Sequence, residues 1–369
     1  MDMKHGGRPA FCAIVAAVAL VLGGVVAHAQ TISGVSGTLS AGNTVIISGS
    51  GFGTKATAAP VQFSNFENGA QGAVIATSDG WNSVDGWSGT ANAHTGKPIY
   101  DAAAAHAGSR GMTCRYVGDV YNSSVLKSAD FSGGFYIDAW YRYQPANPAS
   151  RNHKLFMLYG TGTNEFPQAA MTGFCNLDDS IEIPFYAGPS NGDAEWMGLH
   201  FNHLVGAPHH IQVWLKPSTP GVQDGRSWVA VDGTVHSTAT DLLTNMPGIG
   251  TWRQVRVGYY MAHDGLTNCP SAGDAWTYWD DVYLDTTPAR IELGNAATYG
   301  ACTHREIQIP SAWSDSQVSL TMNTGTFDGG QAAWLYVVNA NNVVSPGFQV
   351  TLGGTASSGP GQPGKPVFE

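Results

Sequence analysis

The sequence has little charge. Only 12% of its 369 residues are Asp, Glu, Lys or Arg, and acidic residues outnumber basic ones 27 to 17. Runs of lysine and arginine are absent. Nucleic acids and anionic membrane surfaces are held by clustered cations, so neither is an expected partner. A highly anionic polysaccharide would need a local basic cleft. Long helical patterns are missing, and after residue 29 no stretch approaches the roughly 20 apolar residues of a membrane span. The Cys-x-x-Cys spacing of a zinc motif is missing too. So are a His-Glu-x-x-His metalloprotease motif and the Gly-x-Ser-x-Gly elbow of a nucleophilic serine.

The chain is rich instead in glycine, tryptophan and tyrosine, with 47, 11 and 14 residues. That is the composition of short strands, many turns and aromatic faces. Residues 1–29 read as a secretory signal. Lys4 and Arg8 precede an apolar stretch over 11–26, and Ala27-His28-Ala29 offers small residues for cleavage. Secretion or periplasmic export, with cleavage after Ala29, is the expectation. Removing Lys4, Arg8 and Asp2 leaves the chain one unit more negative. Cys114, Cys175, Cys269 and Cys302 remain. An even count in an oxidising compartment predicts two disulfides, with all three pairings open.

Short β runs with glycine punctuation occupy both ends of the remaining chain. Near the N-terminus they are 31–37 and 43–53, ending in Gly51-Phe52-Gly53. Near the C-terminus they are 290–295, 306–320, 333–340 and 347–352. These segments resemble the immunoglobulin-like TIG domain, whose strands carry similar Gly-Phe-Gly and Trp-Ser-Asp signatures; here the latter is Trp313-Ser314-Asp315. Two arrangements satisfy the pattern: one TIG-type sandwich split into 31–60 and 288–353, or two small separate modules. The split is the better reading, because two strands can hardly bury a core. Residues 354–369 read as a flexible tail.

The middle, 61–287, alternates over many short strands: 135–143, 154–159, 180–185, 209–216, 228–231 and 253–260. Asp232-Gly233 marks a hairpin turn. Residues 61–69 resemble the opening strand of a concanavalin A-like jelly roll. Residues 276–285, with Trp279-Asp280-Asp281-Val282, resemble its closing strand. The expected fold is therefore all-β, a concanavalin A-like jelly-roll sandwich inserted in or flanked by an Ig-like sandwich. The resemblance implies a sheet that holds sugar chains, and jelly-roll polysaccharide lyases share this architecture.

A sugar site needs aromatic faces and polar groups for hydroxyls. By strand parity, Tyr136, Trp140 and Arg142 share one face of their strand. His210, Gln212, Trp214 and Lys216 share a face of the second, and Gln254, Arg256 and Tyr260 of the third. Together they would form one cleft with extracellular polysaccharide as the partner. The competing view is that the aromatics pack between sheets.

Two chemistries compete for such a cleft. Hydrolysis needs a close carboxylate pair. Asp179 and Glu182 depart from the glucanase Glu-x-Asp-x-x-Glu pattern and would face opposite sides of a strand, leaving Asp138 with Glu182 across strands. β-Elimination needs a cation or amide on the uronate carboxylate and a base and acid for the protons. His210, Arg256, Tyr260, His153 and Lys154 are the candidate catalytic residues, with Tyr136, Trp140, Arg142, Gln212, Trp214 and Gln254 as substrate contacts. The motifs of jelly-roll alginate lyases are missing, so a non-catalytic binding or adhesion module is the alternative. The histidines at 200, 203, 209 and 210 lack metal-site spacing. The jelly-roll resemblance also implies one structural Ca2+, for which Glu67, Asn68 and Asp281 hold the matching places.

Overall fold

The computed structural model describes residues 30–85, 96–116, 123–147, 153–160, 167–173, 181–187, 194–198, 204–260 and 274–356. The signal segment, Cys175 and Cys269 lie outside these. In chain order the first strands are β1 (Thr31–Thr38), β2 (Thr44–Ser50), β3 (Gln62–Ser64), β4 (Asn82–Asp85), β5 (Ile99–Asp101), β6 (Gly111–Tyr116), β7 (Ser123–Ser128) and β8 (Phe135–Pro145). There follow β9 (His153–Gly160), β10 (Gln168–Gly173), β11 (Ile181–Tyr186), β12 (Ala194–Gly198), β13 (His209–Lys216), β14 (Gly225–Val231), β15 (Thr234–Leu242) and β16 (Trp252–Tyr260). The last are β17 (Ala275–Asp285), β18 (Arg290–Gly294), β19 (Arg305–Ile307), β20 (Ile309–Trp313), β21 (Gln317–Thr321), β22 (Ala332–Val338), β23 (Phe348–Thr351) and β24 (Thr355–Ala356). Among the described residues no helix is long and apolar enough to cross a membrane.

The middle of the chain is an antiparallel jelly-roll sandwich. One sheet has the order β15-β14-β13-β8-β17-β6-β5, with β3 added on β17, and the other β12-β11-β10-β9-β16-β7-β4. Strand parity explains the core between them. Phe135, Ile137, Ala139 and Tyr141 of β8 and Ile211, Val213 and Leu215 of β13 point inward from the first sheet. Phe156, Leu158, Val255, Val257, Ile181 and Ile183 meet them from the second. Each such side chain contributes about 1.5–3 kcal/mol by leaving water. The turn at Asp232 and Gly233 takes positive φ at both residues (49° and 80°) and joins β14 to β15, as a two-residue hairpin requires.

The two ends of the chain build a second, smaller sandwich. Its sheets have the orders β20-β21-β2-β1-β24 and β19-β18-β22-β23. Val35, Val45, Ile47, Leu293, Val318, Leu335 and Val337 lie in its separate core. The β24 strand pairs with β1, so residues 355 and 356 are tied down, in contrast to the free tail expected from 354 onward.

The expected pair of disulfides is corrected. Cys114 and Cys302 are both free buried thiols, one in each sandwich. Cys114 packs where Gly258 bends the backbone: a Cβ at that glycine, whose φ is 74°, would stand 2.6 Å from its sulfur. Burial pushes the Cys114 thiol up to about 12. The Cys302 sulfur lies 3.5 Å from the Thr298 carbonyl and 3.7 Å from that of Ala296. Both behave as small buried residues.

Candidate active site

The jelly roll has two outer faces, and the sequence-derived residues divide between them. On the sheet containing β8 and β13, the outward side chains meet the small sandwich. Asp138 sits at the centre of that contact. Its Oδ1 is 2.8 Å from His210 Nε2, and its Oδ2 accepts from Gln212 Nε2 at 2.8 Å and from the Tyr136 hydroxyl at 3.0 Å. Gln212 also donates to Glu292 at 2.8 Å and accepts from Arg305 at 3.1 Å. Arg290 pairs with Glu292 and stacks its guanidinium over Tyr136. Burial opposes ionisation of Glu292, yet Arg290 and Arg305 hold its carboxyl at about 2. Burial lowers the His210 imidazole, but the adjoining Asp138 carboxylate outweighs this and raises it.

This corrects the single-cleft expectation. Tyr136 (0% exposed), Gln212 (1%) and His210 (3%) are sealed beneath the second sandwich and cannot meet a polymer. Trp140 stacks on His106 and His210 in the same contact. Arg142 lies over the Tyr278 ring and donates to the Ala103 carbonyl. Asp138 and Glu182 stand in different sheets, so they form no hydrolytic pair.

The other sheet gathers Gln254, Arg256 and Lys154 and sets position 260 opposite Lys154, through two breaks in register; the Tyr260 side chain lies outside the described ones. Leu155 and Phe156 are both buried in the core, so β9 carries an extra residue there. The β9–β10 register slips at the same place, matching Phe156 to Met171 but Lys154 to Thr172. On the opposite neighbour, Val257 faces Phe156 while Tyr260 faces Lys154. Bulges of this kind redirect side chains at sheet ends. They turn Lys154, half-buried, to the outer face and His153 inward, where it stacks 4.1 Å from Tyr143. His153 (1% exposed) is therefore a core residue, another correction.

The outer face then reads in rows. Gln254, Tyr159, Gln168 and Tyr186 are successive cross-strand partners. Arg256, Met157 and Ala170 form the next row. Positions 260, 154, 172 and 182 form the third. Arg256 lies 5.1 Å over the Tyr159 ring. Met157, Tyr159 and Ala170 make an apolar floor distinct from the main core. Sequence reasoning missed Tyr159 and Met157, although their two-residue spacing within β9 marked a common face.

Trp214 lies elsewhere, in an open groove of about 760 Å³ between the sandwiches. It pairs across strands with Trp228, and Lys216 with Arg226. Asn341 and Asn342 close the groove from the small sandwich.

The calcium expectation fits in part. Glu67 Oε1 already accepts the Ser109 and Arg110 N–H groups at 2.7 and 2.8 Å, and Oε2 the Ser109 hydroxyl at 2.5 Å. Three donors from 109–110 thus already engage the Glu67 carboxylate, and Asn68 is exposed. Asp281 differs: it is 2% exposed and its Oδ2 has no hydrogen-bond donor. Burial, with Asp280 and Glu306 nearby, pushes its carboxyl well above the ordinary range.

Neither a protein-family model nor a curated protein matches the sequence. Solved structures do resemble it. An endo-β-1,4-glucuronan lyase from the fungus Trichoderma reesei is 15% identical, over 52% of this chain and 87% of that one, with a TM-score of 0.41. The alginate lyase Aly36B is 16% identical, over 62% and 98%, with a TM-score of 0.43. Cellulose induced protein Cip1 is 16% identical, over 61% and 97%, with a TM-score of 0.40. Likeness at this level assigns no activity to the chain.

Proposed function

We propose that this is an exported protein whose seven-stranded sheet binds an extracellular anionic polysaccharide and cleaves it by β-elimination. The observation that supports the reading is the pair of parity breaks that set Lys154 and Tyr260 in one row, beside Arg256 and Gln254. A uronate carboxylate would lie against Arg256 and Gln254, whose charge and amide stabilise the enolate that forms when the C5 proton leaves. Lys154 and Tyr260 are the residues of the right chemistry to take that proton and to protonate the departing oxygen. The C5–H and C4–O bonds break, a C4–C5 double bond forms, and the leaving chain gains a hydroxyl. The small sandwich is, in this proposal, a TIG-type frame that covers the opposite face.

The test is the absorbance at 235 nm of the unsaturated product, across a panel of uronate polymers, with reducing ends on neutral glucans measured in parallel. Growth of the 235-nm signal, lost in Arg256→Ala and Tyr260→Phe, supports elimination. Reducing ends without that absorbance refute it.

The Trp214–Trp228 groove favours a second reading, a non-catalytic sugar-binding module. Two indoles beside two cations and two amides are what a bound acidic sugar needs. Saturable binding without products, abolished by Trp214→Ala, would support it.

A further inference from the structure

We propose that His106, His304 and Glu306 form a divalent metal site of the zinc class that ties the small sandwich to the jelly roll. The three donor atoms lie within 4.8 Å of one another. His106 comes from the jelly roll, in the turn between β5 and β6. His304 and Glu306 come from the small sandwich, two residues apart on the extended run that contains β19, and so on one face. Both imidazole Nε2 atoms converge on a single carboxylate oxygen: Glu306 Oε1 is 2.9 Å from His106 and 2.8 Å from His304.

Tetrahedral zinc with bonds of 2.0–2.1 Å sets its ligand atoms about 3.3 Å apart. An opening of roughly half an ångström would convert the present contacts into that geometry. Two neutral imidazoles and one carboxylate are a ligand set that leaves a fourth position open.

The surroundings hold the three groups in place. Trp140 stacks on the His106 ring with centroids 3.5 Å apart and planes 10° from parallel. Its Nε1 donates to Glu306 Oε2 at 3.3 Å, and the Thr326 N–H donates to Oε1 at 3.3 Å. Thr326 Oγ1 stands 3.2 Å from His304 Nε2. Gly325 is obligatory beside them, because a Cβ there would stand 2.0 Å from the Glu306 carboxyl carbon.

A second observation points to a cation. Asp280, Asp281 and Glu306 are all buried, and Asp281 Oδ2 has no donor. Among the described residues no lysine or arginine side chain bonds any of the three. Their partners are backbone N–H groups, the side chains of Trp140 and Asn323, and the two histidines. Buried carboxylates without a fixed cation are costly unless they take up a proton or an ion supplies the charge, and a metal ion is the second of these.

The experiment uses the full mature chain, stripped with a chelator and then titrated with Zn2+ and with Co2+. One equivalent is expected to bind and to raise the Tm. The Co2+ form should show visible d–d bands without a sulfur-to-metal charge-transfer band. His106→Ala and His304→Ala should each weaken binding at least tenfold and abolish the Tm response. His304→Gln, which keeps a hydrogen-bonding side chain, replaces an alanine variant that does not fold. Absence of stoichiometric binding to the wild type overturns the proposal. So does undiminished affinity in the histidine variants, since other histidines would then hold the ion.

Discussion

Lys154 stands directly opposite Tyr260 across the β9–β16 pair, although two residues on β16 separate Val257 from Tyr260 while one on β9 separates Phe156 from Lys154. The mismatch is absorbed at Gly258, whose φ of 74° few other residues adopt. Positions that simple alternation would assign to opposite faces are thereby placed side by side, next to Arg256.

The division of candidates between two faces predicts two classes of variant. Lys154→Ala, Tyr260→Phe and Arg256→Ala are expected to cut turnover of a uronate polymer by about 10²–10⁴-fold, the usual range for a lost acid or base, with little change in Tm. Gln212→Ala is expected to do the reverse, since it strips partners from Asp138, Glu292 and Arg305 beneath the small sandwich. Parallel assays and melts on the four variants decide it. Normal turnover by Arg256→Ala would reject the site.

Lys55 and Asp285 form a buried ion pair at 2.6 Å, with Tyr283 bonded to both. Burial pulls the Lys55 amine below its ordinary value and pushes the Asp285 carboxyl above its own, so desolvation outweighs the pairing on each side. Lys55→Met alone is expected to cost about 3–5 kcal/mol, because it strands a buried carboxylate. The double variant Lys55→Met/Asp285→Leu should recover most of that loss. Urea unfolding of the two proteins measures the difference; equal destabilisation would contradict the argument.

The raised His210 imidazole makes the interface between the sandwiches pH-dependent. Asp138 and Glu292 favour its charged form, while burial and Arg305 oppose it. A histidine whose folded value lies above its unfolded one adds stability that is fully present below about pH 6.5 and is lost as pH rises through the folded value. Wild-type stability is therefore expected to fall between pH 6 and the alkaline side of neutrality. His210→Gln should show a flatter profile over that window. Melting curves at half-unit steps test this, and parallel profiles would refute it.

Because Cys114 and Cys302 are free, two buried thiols should be silent toward a thiol reagent in the native protein. Both should react once it is denatured without reductant. A denatured titre below two would contradict the structure.

Much of this molecule could be read without coordinates. Alternation over 135–143 and 209–216 marked strands and their inward residues, because a period of two is a local property. The all-β class followed from those runs, the glycine content and the Asp232-Gly233 turn, and the jelly roll from the resemblance of 61–69 and 276–285 to its first and last strands. The disulfide reading did not hold for Cys114 and Cys302, because counting cysteines carries no information on distance: Cys114 lies in the jelly-roll core and Cys302 is buried in the small sandwich. His106 and Glu306 escaped notice for a similar reason. They are 200 residues apart in the chain and meet only where one sandwich rests on the other.

The sequence by itself determined which side chains share a face of each regular strand, since the pleat alternates whatever the strand packs against. Only the tertiary structure decided which of those faces meets solvent. Tyr136, His210 and Gln212 have the same alternation as Gln254 and Arg256. They are buried because the small sandwich, built from both chain ends, covers their sheet. Lys154 and His153 exchange faces because a single extra residue in β9 shifts the parity, and that residue shows itself in the pairing with β10.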